Sequence, residues 1–235
     1  LKYLEFILYG LIQGFTEFIP VSSTAHLKVI SLLFGIDEPG YSISSIIQLG
    51  SVLAIFWYFR NDFLKLRSKS SNKFFGYFLD KRLSTSIFIA TVPIVLFGGS
   101  IKLFLPKFYD DILRSNLSIA LFSLIISMFM YVADNSKRGS IKLKNHNYAA
   151  SFLIGFSQVF AIFPGVSRSG ITISTALVSG WERFDAAKFS FLLGIPAISL
   201  SAIVELISSF NEFSLYSFPP LIVGIITTFF SSLLA

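Results

Sequence analysis

The chain has 235 residues, is 54% hydrophobic and 14% charged, and carries a formal net charge of +6 with no cysteine. Its mean hydropathy of +0.73 means that apolar runs outgrow what a soluble core can hide, so the chain is an integral membrane protein. The missing cysteines exclude disulfides, thiolate nucleophiles and cysteine metal centres, and two histidines, His26 and His146, are too few for a histidine-rich zinc site.

Nearly continuous apolar runs fall at about 3–19, 43–59, 85–105, 116–133, 148–163, 187–208 and 219–235. About 20 residues of helix cross a hydrocarbon core of roughly 30 Å. Barrel-like alternation is absent, so the runs are predicted to be helices. The first run has no basic leader and no small-residue cleavage site, and reads as part of the fold rather than a signal peptide. The chain begins at Leu1 and stops at Ala235 inside an apolar run, which reads as a fragment short of a little at the start and more at the end. The whole forms one polytopic domain over 1–235, with halves of about 1–134 and 147–235.

Two stretches are too short to span. From Ser22 to Phe34 a helix reaches only about 20 Å. Val166 to Gly180, which follows "FPG" at 163–165, has the same shortfall. Such segments, entered through proline or glycine, are predicted to be re-entrant hairpins, which are tolerated only where protein or a water-filled cavity surrounds the broken backbone.

The basic residues collect in two loops. Arg60, Lys65, Arg67, Lys69, Lys73, Lys81 and Arg82 fill one, and Lys137, Arg138, Lys142 and Lys144 fill the other; the positive-inside rule makes both cytoplasmic. They read as topology signals and contacts to anionic headgroups, not as a nucleic-acid surface. His146, in the second loop, reads as a solvated surface residue.

A gapless match relates the two short stretches. "QGFTEFIPVSSTAH" at 13–26 laid over "QVFAIFPGVSRSGI" at 158–171 pairs Gln13 with Gln158, Phe15 with Phe160, Phe18 with Phe163, Val21 with Val166 and Ser22 with Ser167. At nearly the same offset Leu49–Gly50 meets Leu193–Gly194. With both basic loops inside, the first hairpin enters from outside and the second from the cytoplasm. The expected architecture is therefore an all-α inverted repeat whose hairpin tips meet near the midplane.

Ser22 after Pro20 and Ser167 after Gly165 are predicted N-caps, so two helix starts aim free N–H groups at one point and make an anion site. Arg168 adds a fork suited to phosphate oxygens. Ser23, Thr24, Ser169 and Thr172 add hydroxyls. Glu17 lies one turn after Gln13 on the same helix face, and an acid at membrane depth is a functional residue by default. Its two readings are a structural ion pair with Arg168, and a general base or metal ligand beside bound phosphate. His26 is placed to assist a serine nucleophile. Glu205 is a second intramembrane acid with no partner visible in the sequence.

"QGFTEFIPVSSTAH" and "PGVSRSGITIS", together with "IIQLGSVLAIFWYF" at 46–59, resemble the signature motifs of the undecaprenyl-diphosphate phosphatase family, the bacitracin-resistance proteins of bacterial inner membranes. The resemblance implies six spanning helices and two re-entrant hairpins, with a site open to the periplasm or cell exterior and one more helix beyond Ala235. It implies hydrolysis of the terminal phosphate of undecaprenyl diphosphate, giving the lipid carrier for peptidoglycan and other envelope polymers. Carried over by position, the family's acid motif falls on Gln13 and Glu17, its serine pair on Ser22 and Ser23, and its histidine on His26. Its phosphate-binding arginine falls on Arg168, flanked by Ser167, Ser169 and Thr172. Gln13 in place of glutamate leaves one carboxylate, so Mg²⁺ or Ca²⁺ held by Glu17 would need substrate oxygens and waters to complete its shell. Ser23 is the expected nucleophile, with water activated by Glu17 and a metal as the rival. A homodimer is compatible with this reading. The competing function is a transporter or flippase of a polyprenyl phosphate, because broken helices at the midplane serve alternating access equally well.

Overall fold

Apolar length decides which helices are long enough to cross a membrane. The computed structural model describes residues 2–60, 81–136, 139–210 and 218–235. Ten helices are named here in chain order: α1 Lys2–Phe18, α2 Ser23–Phe34, α3 Tyr41–Ile47, α4 Leu49–Tyr58, α5 Lys81–Phe104, α6 Asn116–Asp134, α7 Tyr148–Ser157, α8 Arg168–Val178, α9 Arg183–Ser208 and α10 Phe218–Leu234. Among the described residues four stretches are long and apolar enough to cross a membrane: 41–58 (α3 with α4), α5, α6 and α9. Among the described residues the fold is all-helical, with the long apolar helices of a membrane protein. Of the basic-loop positions, Lys65, Arg67, Lys69, Lys73, Lys137 and Arg138 lie outside the described residues.

The short helices are set by local signals. α1 ends at Phe18, where Pro20 follows, and α2 restarts with Ser22 as its N-cap: the Ser22 hydroxyl accepts from the Ala25 N–H at 3.2 Å. Gly35, in the left-handed region at φ 64°, stops α2. In the second half, α7 tightens into a 3₁₀ stretch over Gln158–Ile162. The chain then turns at Gly165 (φ 102°), and Ser167 caps α8 by accepting from the Gly170 N–H at 3.1 Å. A side chain at 165 would stand 2.4 Å from the Ile119 carbonyl of α6, so glycine lets the turn lie directly on that helix.

Small residues bring the helices together, as expected where lipid supplies no hydrophobic drive between them. α1 lies on α10: a Cβ at Gly14 would fall 1.8 Å from Ser231 Oγ, and the Ser231 hydroxyl donates to the Gly10 carbonyl at 2.9 Å. α7 lies on α5 in the same manner, with a Cβ at Gly155 only 2.1 Å from the Ala90 carbonyl. Phe6, Tyr9, Leu27, Ile46, Ile47 and Leu221 form one apolar cluster. Leu83, Leu143, Ile154, Trp181 and Phe189 anchor the other.

Two expectations are corrected. His146 is 1% exposed, not solvated. The 139–146 segment folds back, pinned by Ile141 N–H to Gly180 O at 3.0 Å, and inserts the imidazole beside Trp181 and Phe189. There its Nδ1 bonds the Leu143 carbonyl and its Nε2 the Ser86 hydroxyl at 2.7 Å. Glu205 has partners after all: the Lys102 ammonium and the Ser42 hydroxyl, the latter at 2.9 Å. Both lie more than a hundred residues away in sequence, beyond any local pattern.

Candidate active site

The first turn of α8 meets the last turn of α1. Glu17, in the last turn of α1, is buried. Its Oε2 accepts from Gln13 Nε2 at 2.7 Å, as their spacing of four predicts. Its Oε1 accepts from Arg168 Nη2 at 3.0 Å. The side chains of the pair are 7% and 13% exposed, so the charges meet in a largely water-free place.

Arg168, first residue of α8, is held on several sides. Its Nη1 donates to the Ser190 carbonyl of α9 at 3.2 Å. The guanidinium lies over Gly194, where a Cβ would come within 2.2 Å of Nη1. Its Nε is buried without a hydrogen-bond partner among the described residues, a donor in reserve at the tip. Ser169 ties the two hairpins by donating to the Glu17 carbonyl at 3.1 Å, and sits 3.2 Å from the Ser167 hydroxyl. Thr172 turns away, bonding the Arg168 carbonyl at 2.8 Å and the Ser190 hydroxyl at 2.6 Å. The structure thus brings Gln13, Glu17, Arg168 and Ser169 into one network, with Ser167 and Thr172 holding α8 in place.

The α2 residues form a second group. Ser22 is committed to its cap. Ser23 is half-buried in the first turn and makes no hydrogen bond through its hydroxyl among the described residues. Thr24 lines an adjoining pocket. His26 is exposed, and its Nδ1 bonds the Ser22 main-chain carbonyl at 2.7 Å, not a serine hydroxyl. No direct bond joins this group to the Glu17–Arg168 pair among the described residues.

The sequence profile of bacitracin resistance protein BacA matches residues 6–235. The chain belongs to the BacA family. Its relatives include a Prochlorococcus marinus (strain AS9601) protein named undecaprenyl-diphosphatase, 73% identical over 235 residues, which span 100% of this chain and 86% of that one. Relatives of the same name from Prochlorococcus marinus strains MIT 9215 and NATL1A are 70% and 46% identical. The alignments cover 100% and 96% of this chain, and 88% and 82% of those proteins.

For this BacA-family chain, sequence reasoning missed Ser190 as an arginine-positioning residue. The signal that could have found it was a pair of small residues, Ser190 and Gly194, one turn apart in the bulky helix "FSFLLGIP". Among the described residues no three of His, Cys, Asp and Glu cluster. Gln13 Oε1 is a buried acceptor without a partner among those residues, so Gln13 and Glu17 are the two side chains that could contribute to holding a divalent cation, whose shell substrate and water would have to complete.

Proposed function

We propose that this chain is an undecaprenyl-diphosphatase, which removes the terminal phosphate of a polyprenyl diphosphate and returns the lipid monophosphate for peptidoglycan and envelope synthesis. The observation that carries the proposal is the buried Glu17–Arg168 contact joining two hairpins, with a serine-capped helix start on each side. Capped starts and a guanidinium fork supply donors for phosphate oxygens, and phosphoryl transfer depends chiefly on positioning and charge stabilisation. In the resting site Glu17 occupies the arginine; a bound diphosphate would share that fork and use the spare Nε donor.

Ser23, whose hydroxyl has no competing partner among the described residues, is the proposed nucleophile. Ser22 fixes the start of α2; as Ser23 attacks the terminal phosphorus the lipid monophosphate leaves, water then hydrolyses the phosphoserine, and Glu17, His26 or both manage the protons. Gln13 and Glu17 would hold a Mg²⁺ or Ca²⁺ ion, which when bound neutralises diphosphate charge. The inverted repeat with six spans is part of the same reading. Its support is that Gly10 and Gly155, matched at one offset in sequence, each mark a close approach of a first hairpin helix to a neighbouring helix. With the basic loops inside the bacterial plasma membrane, the tips open to the exterior.

The test is release of inorganic phosphate from farnesyl diphosphate by the detergent-purified protein. Flux of a polyprenyl phosphate across proteoliposomes without phosphate release would instead favour the transporter.

A further inference from the structure

Beside the hairpin tip lies a pocket of about 40 Å³ that the catalytic reading does not use. Thr24 and Leu27 line it from the first turns of α2; Tyr41, Ser44 and Ser45 line it along α3, and Gln48 at the C-cap of that helix. Glu38 and Arg114 also line it, and Thr24 places it one residue from Ser23 in sequence.

The rim is charged in an unusual ratio. The Glu38 carboxylate bridges two cations, Lys28 Nζ at 3.1 Å and Arg114 Nη2 at 2.9 Å. Lys28 also donates to the Arg114 carbonyl at 3.2 Å. All three side chains are partly buried, so two positive charges share one negative charge away from bulk water. Tyr41 stands under the arginine, 5.8 Å from ring centroid to guanidinium carbon, and meets Tyr109 edge-on. Lys28 is the one Lys, Arg, Asp or Glu between Glu17 and Asp37. A lysine on so short and apolar a helix is costly unless it is used. A guanidinium has five N–H donors, and Glu38 accepts from one nitrogen only, so the fork retains donors for a second acceptor.

We propose that Arg114 and Lys28 form an outer phosphate subsite. A phosphate group, either the lipid headgroup approaching the tips or the inorganic phosphate leaving them, replaces part of the Glu38 bridge. The guanidinium fork matches phosphate oxygens and the ammonium adds a point charge. Glu38 is then a built-in competitor, which keeps the cations neutralised until a phosphate arrives. The source of that phosphate rests on the phosphatase reading; the subsite itself rests on the rim geometry.

The competitor fixes opposite signs for the variants. In a phosphate-release assay with farnesyl diphosphate as substrate and inorganic phosphate as inhibitor, Arg114→Gln and Lys28→Gln raise KM for the lipid or Ki for phosphate at least about fivefold. Glu38→Gln lowers the same constant. Movement in KM identifies the lipid headgroup, and movement in Ki identifies the released product. If all three variants move the constant the same way, the cluster is an ordinary structural ion pair and the proposal is wrong; it is equally wrong if neither constant moves. Should Arg114→Gln fail to fold by thermal melting, Lys28→Gln and Glu38→Gln still carry opposite signs. If the wild type releases no phosphate, the phosphatase reading has failed. Equilibrium binding of radiolabelled inorganic phosphate then decides the subsite: saturable binding weakened by Lys28→Gln supports it, and no binding overturns it.

Discussion

Arg168→Met separates anchoring from chemistry. In the resting protein Glu17 has two donors, Arg168 Nη2 at 3.0 Å and Gln13 Nε2 at 2.7 Å, with its side chain 7% exposed. Removing the guanidinium strands a buried carboxylate beside a single amide, which costs about 3–5 kcal/mol. For a chain of this size that is a fall in melting temperature on the order of 10 °C. Adding Glu17→Gln removes the stranded charge, and the new amide still has Gln13 to bond, so the double variant regains most of the loss. Turnover behaves differently. Both variants lack the fork proposed to hold the phosphate oxygens, so both are expected to fall by at least about 10³-fold. Thermal unfolding followed by tryptophan fluorescence, run beside phosphate release from farnesyl diphosphate, reads the two effects separately. A single variant that melts with the wild type means the pair anchors nothing. Wild-type turnover in the double variant puts the pair outside the chemistry.

Ser23→Ala is expected to abolish turnover while melting within a few degrees of the wild type, and acid quenching of the wild type during turnover should trap a phosphoserine; near-normal turnover in the variant would favour direct attack by water. Gly14→Val should lower the yield of folded protein, because a Cβ there falls 1.8 Å from Ser231 Oγ and 2.6 Å from the Thr228 carbonyl, an overpacking cost of about 1–3 kcal/mol or more. Gly99→Val is the control, having no atom within 4 Å of its Cβ. Chelation should suppress phosphate release and added Mg²⁺ or Ca²⁺ should restore it, and activity indifferent to chelator would leave Glu17 and Gln13 with protons and hydrogen bonds alone.

The features legible in the sequence are those set within a few residues. The caps at Ser22 and Ser167 follow from a helix breaker and a hydroxyl in close succession, and the Gln13–Glu17 bond follows from a spacing of four. What the sequence hid depends on distant partners. Ser190 and Gly194 shape the seat of Arg168 only because α9 crosses there, and Lys102 reaches Glu205 from another helix. His146 misled because the basic residues around it described the loop's average environment. Its own position depended on a fold-back pinned at Gly180, which no periodicity announces.

The gapless match between the two hairpins sharpens when set beside the contacts. At an offset of about 145 residues, Ser22 meets Ser167 and Gln13 meets Gln158, but Glu17 meets Ile162 and Ser23 meets Arg168. Faithful copies would bring either two acids or two arginines to the meeting point, and like charges in a partly desolvated place repel by several kcal/mol. The observed pair avoids this: the acid of the first hairpin bonds the arginine of the second. The shared serines cap both helix starts, while the two differing positions supply different chemistry. In the proposed mechanism the second hairpin would hold the phosphate by the charge of Arg168. The first would present the Ser23 hydroxyl and the Glu17 acid to it, which gives the proposed attack a direction.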